Sequence, residues 1–347
     1  MTGNLTPLAV YELKSNDKVR WDAFVETCPE ASFFHRAGWK RVIEDAFGHP
    51  TCFLYAERDG QIEGVLPLAQ INSFLFGNSL TSLPFCVYGG VAASSAEAAT
   101  LLMESAVKKA EALGVDALEL RNQKARNPDW PSKDLYVTFR KEIDPDPEKN
   151  LTNIPRKQRA MVRKGIKGGL QGEWDDGIDR FYDAYSQSVH ALGTPVFPRH
   201  YFSILREEFA ENSRILTISK NGHTVASVMS FYFRDEVLPY YGGGTAEARS
   251  LKGNDFMYWD LMRRSAEEGI RVFDFGRSKQ GTGSFSFKKN WGFEAQQLHY
   301  EFKLIKAKEM PDVSPMNAKY RTFIKMWKML PLPIANTIGP WLARSLG

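Results

Sequence analysis

An internal repeat constrains the fold of this chain more than any other feature. The segment Leu83–Gly90 (LPFCVYGG) corresponds to Leu238–Gly244 (LPYYGGG), at an offset of 155 residues. Each copy is followed by a helical stretch that ends at a glycine, Gly114 or Gly269, and these glycines have the same offset. Because similar segments in similar order fold alike, the repeat predicts two similar domains.

The order of elements within each copy predicts the fold class. A hairpin signal, Asp59–Gly60 or Asn221–Gly222, precedes each strand that ends in glycines. A strand, a helix and a second strand in succession favour a parallel pair within a mixed sheet. The second strand of the later copy, 269–275, alternates apolar and acidic residues, which is typical of a half-buried strand. We therefore predict an α/β fold with mixed sheets and tandem domains.

The chain length of 347 residues also suggests about two domains. The run Asp144–Pro147 (DPDP) is a linker signal. We predict a first domain over 1–145, a second over 150–306 and a helical tail over 313–347. The tail holds five basic residues and no acid, and its first part has amphipathic spacing. Such a helix either lies on an anionic membrane or docks on the core of its own protein.

Positive charge is concentrated in two segments. Residues 151–170 hold six basic residues and no acid, and with the tail they carry eleven positive charges against a net charge of +4. The rest of the chain is therefore acidic. Two localised basic segments suggest a phosphate group, RNA or a membrane surface as partner, and two solvated helix faces are the alternative.

Several classes of protein are excluded. The sequence has no apolar run of about 18 residues and no apolar core near its start, so we expect neither a transmembrane helix nor a secretory signal. Three cysteines without a CxxC spacing indicate a reducing, cytoplasmic setting. The histidines lack metal-ligand spacing, so no metal is expected. Asp274–Gly276 (DFG) lacks the accompanying motifs of a kinase, and no Gly-x-Ser-x-Gly elbow is present.

Two segments of the second half can carry chemistry. Arg249–Asp255 is a basic turn that enters a helix, and free N–H groups at such a turn suit a phosphate; an ordinary capped loop is the alternative. Gly276–Phe293 is a glycine- and serine-rich loop followed by lysines among aromatic residues. Lysine in this setting can bind a phosphate or stabilise an oxyanion, while the aromatic residues are equally compatible with a core.

The second of these segments resembles the C-terminal signature of the FemAB family, in which a Phe-Asp-Phe-Gly strand, here Phe273–Gly276, precedes Phe287–Gly292 (FKKNWG). Asn254–Trp259 and the basic run Pro155–Arg159 are also similar to that family. The stretch Ser32–Pro50 resembles the start of the family's first domain. Residues 327–340 resemble the tail of the FemAB-related proteins of PEP-CTERM/exosortase systems, and the resemblance extends over nearly the whole chain.

This resemblance implies tandem GNAT-like domains and transfer of an acyl or aminoacyl group to an amine by direct attack. The donor would be aminoacyl-tRNA or acyl-CoA, with no bound cofactor. Lys288 and Tyr241 are the expected catalytic residues. The residues expected to contact the donor or the acceptor are Phe287, Tyr240, Gly243, Arg249, Gly253, Asn254, Lys40, Arg41, Arg199, Tyr201 and Trp291.

Two departures from the family narrow the expected substrate. Residues 170–214 leave no room for the coiled-coil arm of relatives that build peptide bridges, and Tyr88–Ala93 stands where those relatives have Arg-Gly-Pro. We expect an envelope glycan, an exopolysaccharide, or a lipid-linked or peptidoglycan-type precursor as acceptor, reached from the cytoplasm at the inner face of the membrane. The alternatives are an acyl-CoA-dependent GNAT N-acyltransferase and a non-catalytic module that binds glycan or membrane.

Overall fold

The computed structural model describes residues 6–73, 77–310 and 318–345. Its strands, in chain order, are β1 (Ala9–Glu12), β2 (Thr51–Arg58), β3 (Gln61–Ser73), β4 (Gly77–Ser82), β5 (Ala92–Ala93), β6 (Ala117–Asn122), β7 (Ser132–Lys133), β8 (Tyr136–Thr138), β9 (Arg140–Glu142), β10 (Gln171–Asp175), β11 (Ser213–Lys220), β12 (His223–Phe233), β13 (Glu236–Gly244), β14 (Val272–Asp274), β15 (Ser278–Lys279), β16 (Gln296–Gln297) and β17 (His299–Leu304). Its helices are α1 (Lys18–Thr27), α2 (Trp39–Phe47), α3 (Ala96–Leu113), α4 (Pro147–Asn153), α5 (Arg156–Lys167), α6 (Asp179–Leu192), α7 (Arg199–Glu208), α8 (Ala248–Leu251), α9 (Gly253–Glu267), α10 (Gly283–Asn290), α11 (Ala318–Met329) and α12 (Leu332–Ala343).

The chain forms two compact units. Among the described residues, unit 1 comprises 6–134, 297–310 and 344–345, and unit 2 comprises 135–296 and 318–343. The sheet of unit 1 has the order β1-β2-β3-β4-β6-β17-β7, with β5 on β3. The sheet of unit 2 has the order β10-β11-β12-β13-β14-β9.

The two sheets repeat one topology. In unit 1, β4 and β6 are parallel neighbours joined through α3, and in unit 2, β13 and β14 are parallel neighbours joined through α9. The hairpins β2–β3 and β11–β12 turn at Asp59–Gly60 and Asn221–Gly222, where all four residues have a positive φ. The predicted mixed α/β fold and its internal repeat are therefore confirmed.

Two boundaries of the predicted domains differ from the boundaries of the units that the structure forms. Strand β9 pairs antiparallel with β14, and residues from 135 onward belong to unit 2. Strand β17 pairs antiparallel with β6, so residues 297–306 belong to unit 1. In each unit, a strand from a distant part of the chain covers what would otherwise be a sheet edge with unpaired backbone groups.

The two copies of the leucine–proline–glycine motif do not have the same backbone. In unit 2 the motif is part of β13, as expected. In unit 1 the strand β4 ends at Ser82, and Leu83 and Phe85 adopt positive φ values of 53° and 68°. The expectation of a strand over Leu83–Gly90 is wrong because these two backbone conformations are incompatible with an extended strand.

The predicted tail forms two helices that belong to unit 2. Residues 313–317 of the prediction lie outside the described residues. Both α11 and α12 pack against α6: Ile324 lies beside Gly193 at the end of α6, and Gly339 lies against the backbone of Val196. None of the described helices is long and apolar enough to span a membrane.

The glycine run at the end of β13 is explained by close packing within unit 2. A Cβ atom at Gly243 would lie 2.7 Å from the Cα of Tyr185 and 2.8 Å from the carbonyl oxygen of Ala184, both in α6. A Cβ at Gly244 would lie 2.4 Å from the Cβ of Ala248. Because backbone atoms of α6 cannot give way as a flexible side chain can, α6 and β13 approach this closely only if Gly243 has no side chain.

We predict that Gly243→Ala lowers the free energy of unfolding by about 1–3 kcal/mol, because the added methyl group overpacks the contact with α6. Urea denaturation followed by circular dichroism measures the effect. The matched control is Gly177→Ala, since a Cβ there meets nothing within 4 Å. Equal stability of the two variants would contradict the close approach of α6.

Candidate functional site

Lys288 lies on α10 with its amino group directed at the loop after β14. Its Nζ donates hydrogen bonds to the carbonyl oxygens of Gly276 (2.9 Å) and Arg277 (3.0 Å). Burial of this half-buried side chain lowers its pKa to about 7; the Asp274 carboxylate opposes the shift and Arg277 adds to it. Near neutral pH the group is thus divided between ammonium and amine, and the ammonium keeps one N–H beyond the two carbonyl contacts.

Asp274 organises this loop from a completely buried position at the end of β14. Its Oδ1 accepts the backbone N–H of Gly276 at 2.7 Å and the hydroxyl of Thr138 at 3.2 Å. Its Oδ2 lies 3.5 Å from Nε of Arg140. The alternating pattern predicted a half-buried strand, but β9 covers Asp274 and the carboxylate is entirely enclosed.

A second carboxyl group belongs to the same cluster. Glu236, at the start of β13, forms an ion pair with Arg140. Burial and the charge of Asp274 raise the pKa of Glu236 to about 8, although Arg140 opposes the shift. Glu236 and Asp274 are thus two neighbouring acids that share the guanidinium group of Arg140.

Aromatic rings surround the face of α10 that points into unit 2. The Phe287 ring lies 5.6 Å from Tyr258 and 6.0 Å from the buried Trp291, measured between ring centres. Tyr258 also contacts Phe275 at 5.0 Å, and its hydroxyl is 3.3 Å from the position of a Cβ at Gly242. Tyr258 therefore contacts both the lysine-bearing helix and the glycine run of β13.

Tyr240 and Tyr241 lie on β13 at a bulge. Tyr241 pairs with Met229 and Pro239 with Ser230, so Tyr240 is an extra residue in β13. The parallel strands β13 and β14 pair only at Glu236–Val272 and Val237–Phe273. Beyond these pairs and past the bulge, the backbone of β13 is not hydrogen-bonded to β14.

The hydroxyl group of Tyr241 is held inside the protein. It lies 2.7 Å from the hydroxyl of Tyr201, a fully buried residue of α7. The rings of Tyr185, Phe197 and Phe202 enclose the pair. Tyr201 and Tyr241 thus meet in a packed aromatic cluster of α6, α7 and β13, a contact that the sequence did not predict.

The basic turn that was predicted to bind a phosphate connects β13 to α9. Arg249 is exposed on α8 and has no carboxylate partner in the described part of the chain. Gly253 begins α9, directly after Lys252, whose φ is +63°. Asn254 is exposed, and its Oδ1 lies near Gly244. These three residues are therefore adjacent at the end of β13, next to the glycine run.

The other basic side chains that were expected to bind an acceptor already interact with side chains of their own unit. Lys40 of unit 1 donates to Glu44 (2.5 Å) and to Thr51 (2.7 Å), and Arg41 pairs with Asp45 at 3.1 Å. Arg199 of unit 2 forms an ion pair with Asp179 and lies over the ring of Tyr182. Ligand binding at these positions would compete with these interactions.

Helix α5 carries a row of cations without carboxylate partners. These side chains line a groove of about 370 Å³, and they are Arg156, Arg159, Arg163, Lys164 and Lys167. The opposite face of α5 packs on α9, where Gly165 approaches Phe256. Within the described ranges no Asp or Glu pairs with Arg156, Arg163 or either lysine, whereas most other arginines of the chain form ion pairs.

The structure thus assembles part of the predicted site. Lys288, Phe287 and Trp291 form one cluster, and Tyr240, Tyr241, Tyr201 and Gly243 form another around β13. Sequence reasoning missed the residues that hold the lysine loop and connect the clusters, namely Asp274, Thr138, Arg140, Glu236 and Tyr258. Only Asp274 and Tyr258 carried a signal, since both lie within the segments that resemble the FemAB family.

Comparison with known proteins supports a transferase domain. Residues 149–289 match the acetyltransferase (GNAT) domain family, and this segment includes α5, β13, α9 and Lys288. No curated protein matches the sequence.

Similar solved structures share the fold of most of the chain. FemX has a TM-score of 0.66 at 15% identity, covering 84% of this chain and 97% of its own. The C-terminal domain of a putative lysylphosphatidylglycerol synthetase from Agrobacterium fabrum has a TM-score of 0.58 at 13% identity, covering 84% and 92%. A tandem GNAT protein from the clavulanic acid biosynthesis pathway has a TM-score of 0.54 at 12% identity, covering 87% and 100%. The fold of tandem GNAT-like domains is thereby confirmed.

The hydroxyl pair of Tyr201 and Tyr241 gives a test of the aromatic cluster. We predict that Tyr201→Phe and Tyr241→Phe each lower the free energy of unfolding by about 1–3 kcal/mol, because each removes the bond to a buried hydroxyl. The double variant should cost less than the sum of the two, a coupling that urea denaturation measures. Tyr11→Phe, at a half-exposed position, is the control. If the double variant loses as much free energy of unfolding as the two single variants together, the hydrogen bond between the two hydroxyl groups is ruled out.

Proposed function

We propose that unit 2 transfers an acyl or aminoacyl group from an activated donor to an amine of an envelope glycan, an exopolysaccharide or a peptidoglycan-type precursor. The observation that carries this proposal is the amino group of Lys288, held by two carbonyl groups at the end of β14 within the segment that matches the GNAT acetyltransferase family. A cation fixed in a half-buried position is suited to stabilise charge that develops on an oxygen atom.

The reaction would be a direct attack. The acceptor nitrogen forms a bond to the donor carbonyl carbon, and the carbonyl oxygen becomes an oxyanion that the third N–H of the Lys288 ammonium stabilises. The bond from carbon to the oxygen or sulfur of the donor then breaks, and the proton lost by the nitrogen passes through solvent to the leaving group. No covalent enzyme intermediate is required, so the protein contributes mainly positioning and charge stabilisation.

Two donors fit this proposal. Acyl-CoA is supported by the GNAT match and by the separation of β13 from β14 beside the loop that holds Arg249, Gly253 and Asn254. Aminoacyl-tRNA is implied by the resemblance to the FemAB family. The cation row on α5 suits the phosphates of either donor, or those of a lipid-linked acceptor, because its charges have no carboxylate partners among the described residues.

The setting we propose is the cytoplasm, at the inner face of the membrane. The resemblance to the FemAB-related proteins of exosortase systems supports an envelope polymer as acceptor. The name of the similar structure from Agrobacterium fabrum points to a lipid acceptor in that protein, which is compatible with a lipid-linked substrate here.

Donor binding distinguishes the two donor classes. Purified protein is titrated with acyl-CoA species and, separately, with charged and uncharged tRNA. Saturable acyl-CoA binding that Arg249→Ala weakens would assign the CoA-dependent class. A preference for charged over uncharged tRNA would assign aminoacyl transfer. Binding of neither would contradict both donors and favour the non-catalytic alternative.

We predict that Lys288→Ala lowers kcat/KM by about 10²–10³-fold, as expected for loss of one oxyanion donor. Transfer of the acyl group to the amine is followed with the donor identified above, and circular dichroism checks the fold. Lys289→Ala is the matched control, because Lys289 is the exposed neighbour on the same helix. Undiminished turnover in Lys288→Ala would refute the role of this lysine.

The pH profile tests the charge state of Lys288. The ammonium is the active form in this mechanism and its pKa is about 7, so kcat/KM should fall as the pH rises through 7. In Lys288→Arg the side chain stays charged, and this descending limb should disappear while deprotonation of the acceptor amine still gives the ascending limb. If kcat/KM instead rises through pH 7 and this rise is lost in Lys288→Arg, Lys288 acts as a general base and the proposed role is wrong.

A further inference from the structure

Exposed large apolar side chains are concentrated on the two C-terminal helices. We call the set on α11 and α12 the tail face, and its members are Phe323, Met326, Met329, Ile334, Ile338 and Trp341. Met329 is 83% exposed and Trp341 is 72% exposed. The other large apolar residues of comparable exposure in the described ranges are scattered over both units, as single surface residues normally are.

The spacing of these residues places them in rows. On α12, Ile334, Ile338 and Trp341 follow an i, i+4, i+7 pattern and share one side of the helix. On α11, Phe323, Met326 and Met329 follow each other at intervals of three residues, and the rings of Phe323 and Trp327 stack at 5.6 Å.

The tail face is not the side by which these helices pack on unit 2. Trp327, Ala335 and Ala343 are almost fully buried, and Gly339 lies against Val196. An amphipathic helix that only docks on its own protein needs one apolar side, and here that side is already used. Each helix therefore has an additional apolar row directed away from its contact with α6.

The charged side chains of the tail segment itself are all positive. Residues 313–347 contain no Asp or Glu. Lys325 and Lys328 are exposed, and neither has a carboxylate partner among the described residues. A second copy that used the same face would bring like charges together without an acid on these helices. An anionic surface satisfies both the cations and the apolar side chains.

We propose that the tail face is a docking surface for an anionic lipid bilayer. The 12 residues of α12 extend only about 18 Å, against a hydrocarbon core of about 30 Å, so the helix would lie along the membrane surface. Methionine, isoleucine and tryptophan side chains enter the boundary between headgroups and acyl chains, and the lysines contact the phosphates. This inference does not depend on the proposed activity.

Vesicle sedimentation of the full chain tests the proposal. The vesicles contain either equal parts of phosphatidylglycerol and phosphatidylcholine or phosphatidylcholine alone. The wild type should sediment with the anionic vesicles, and added salt should weaken this binding. The triple variant Ile334→Ser, Ile338→Ser, Trp341→Ser should bind at least about tenfold more weakly. The matched control is Val19→Ser, since Val19 is 80% exposed on α1 of unit 1.

A second variant tests the charge independently. The double variant Lys325→Gln, Lys328→Gln should lower binding to anionic vesicles about tenfold. If circular dichroism shows that the serine variant does not fold, the double glutamine variant tests the proposal in its place. The proposal is overturned if the wild type binds neither vesicle, or if the tail variants bind as well as Val19→Ser. It is likewise overturned if the wild type is a dimer that the serine substitutions dissociate, without vesicle binding.

Discussion

The buried carboxylate of Asp274 is the interaction on which the candidate site depends. A completely enclosed charge is tolerated only with several partners, and Thr138, Arg140 and the backbone of Gly276 provide them. The bond to Gly276 fixes the loop whose carbonyl groups hold Lys288. One buried acid thus sets the position of the lysine and, through its charge, keeps the lysine pKa from falling further.

This arrangement requires a strand from outside the predicted second domain. Strand β9 pairs with β14 and brings Arg140 to the cluster, and the neighbouring β8 brings Thr138. Without β9, the last strand of the sheet would be an edge, and Asp274 would meet water instead of Arg140. The pairing that protects the sheet is therefore also the pairing that builds the site.

The surface of unit 2 combines two kinds of feature that an enzyme for an anionic amphiphile would need. The cations of α5, which have no carboxylate partner among the described residues, suit phosphate groups, and the tail face suits the apolar boundary of a bilayer. Among the described residues, most other arginines are in ion pairs, whereas the arginines of α5 have no carboxylate partner. A lipid-linked acceptor would present phosphate and hydrocarbon together, and the two surfaces match those two parts.

The sequence by itself determined the repeat, the mixed α/β fold, both hairpins and the selection of Lys288, because these follow from local turn chemistry, periodicity and a short motif. Tertiary structure decided the rest. The burial of Asp274, the strands that close β6 and β14, and the contact of Gly243 with α6 all join residues far apart in the chain, and no local pattern encodes which distant segment will cover a strand. The same reason explains the tail: its amphipathic spacing is visible in the sequence, but only the packing on α6 shows that a second apolar row is left exposed.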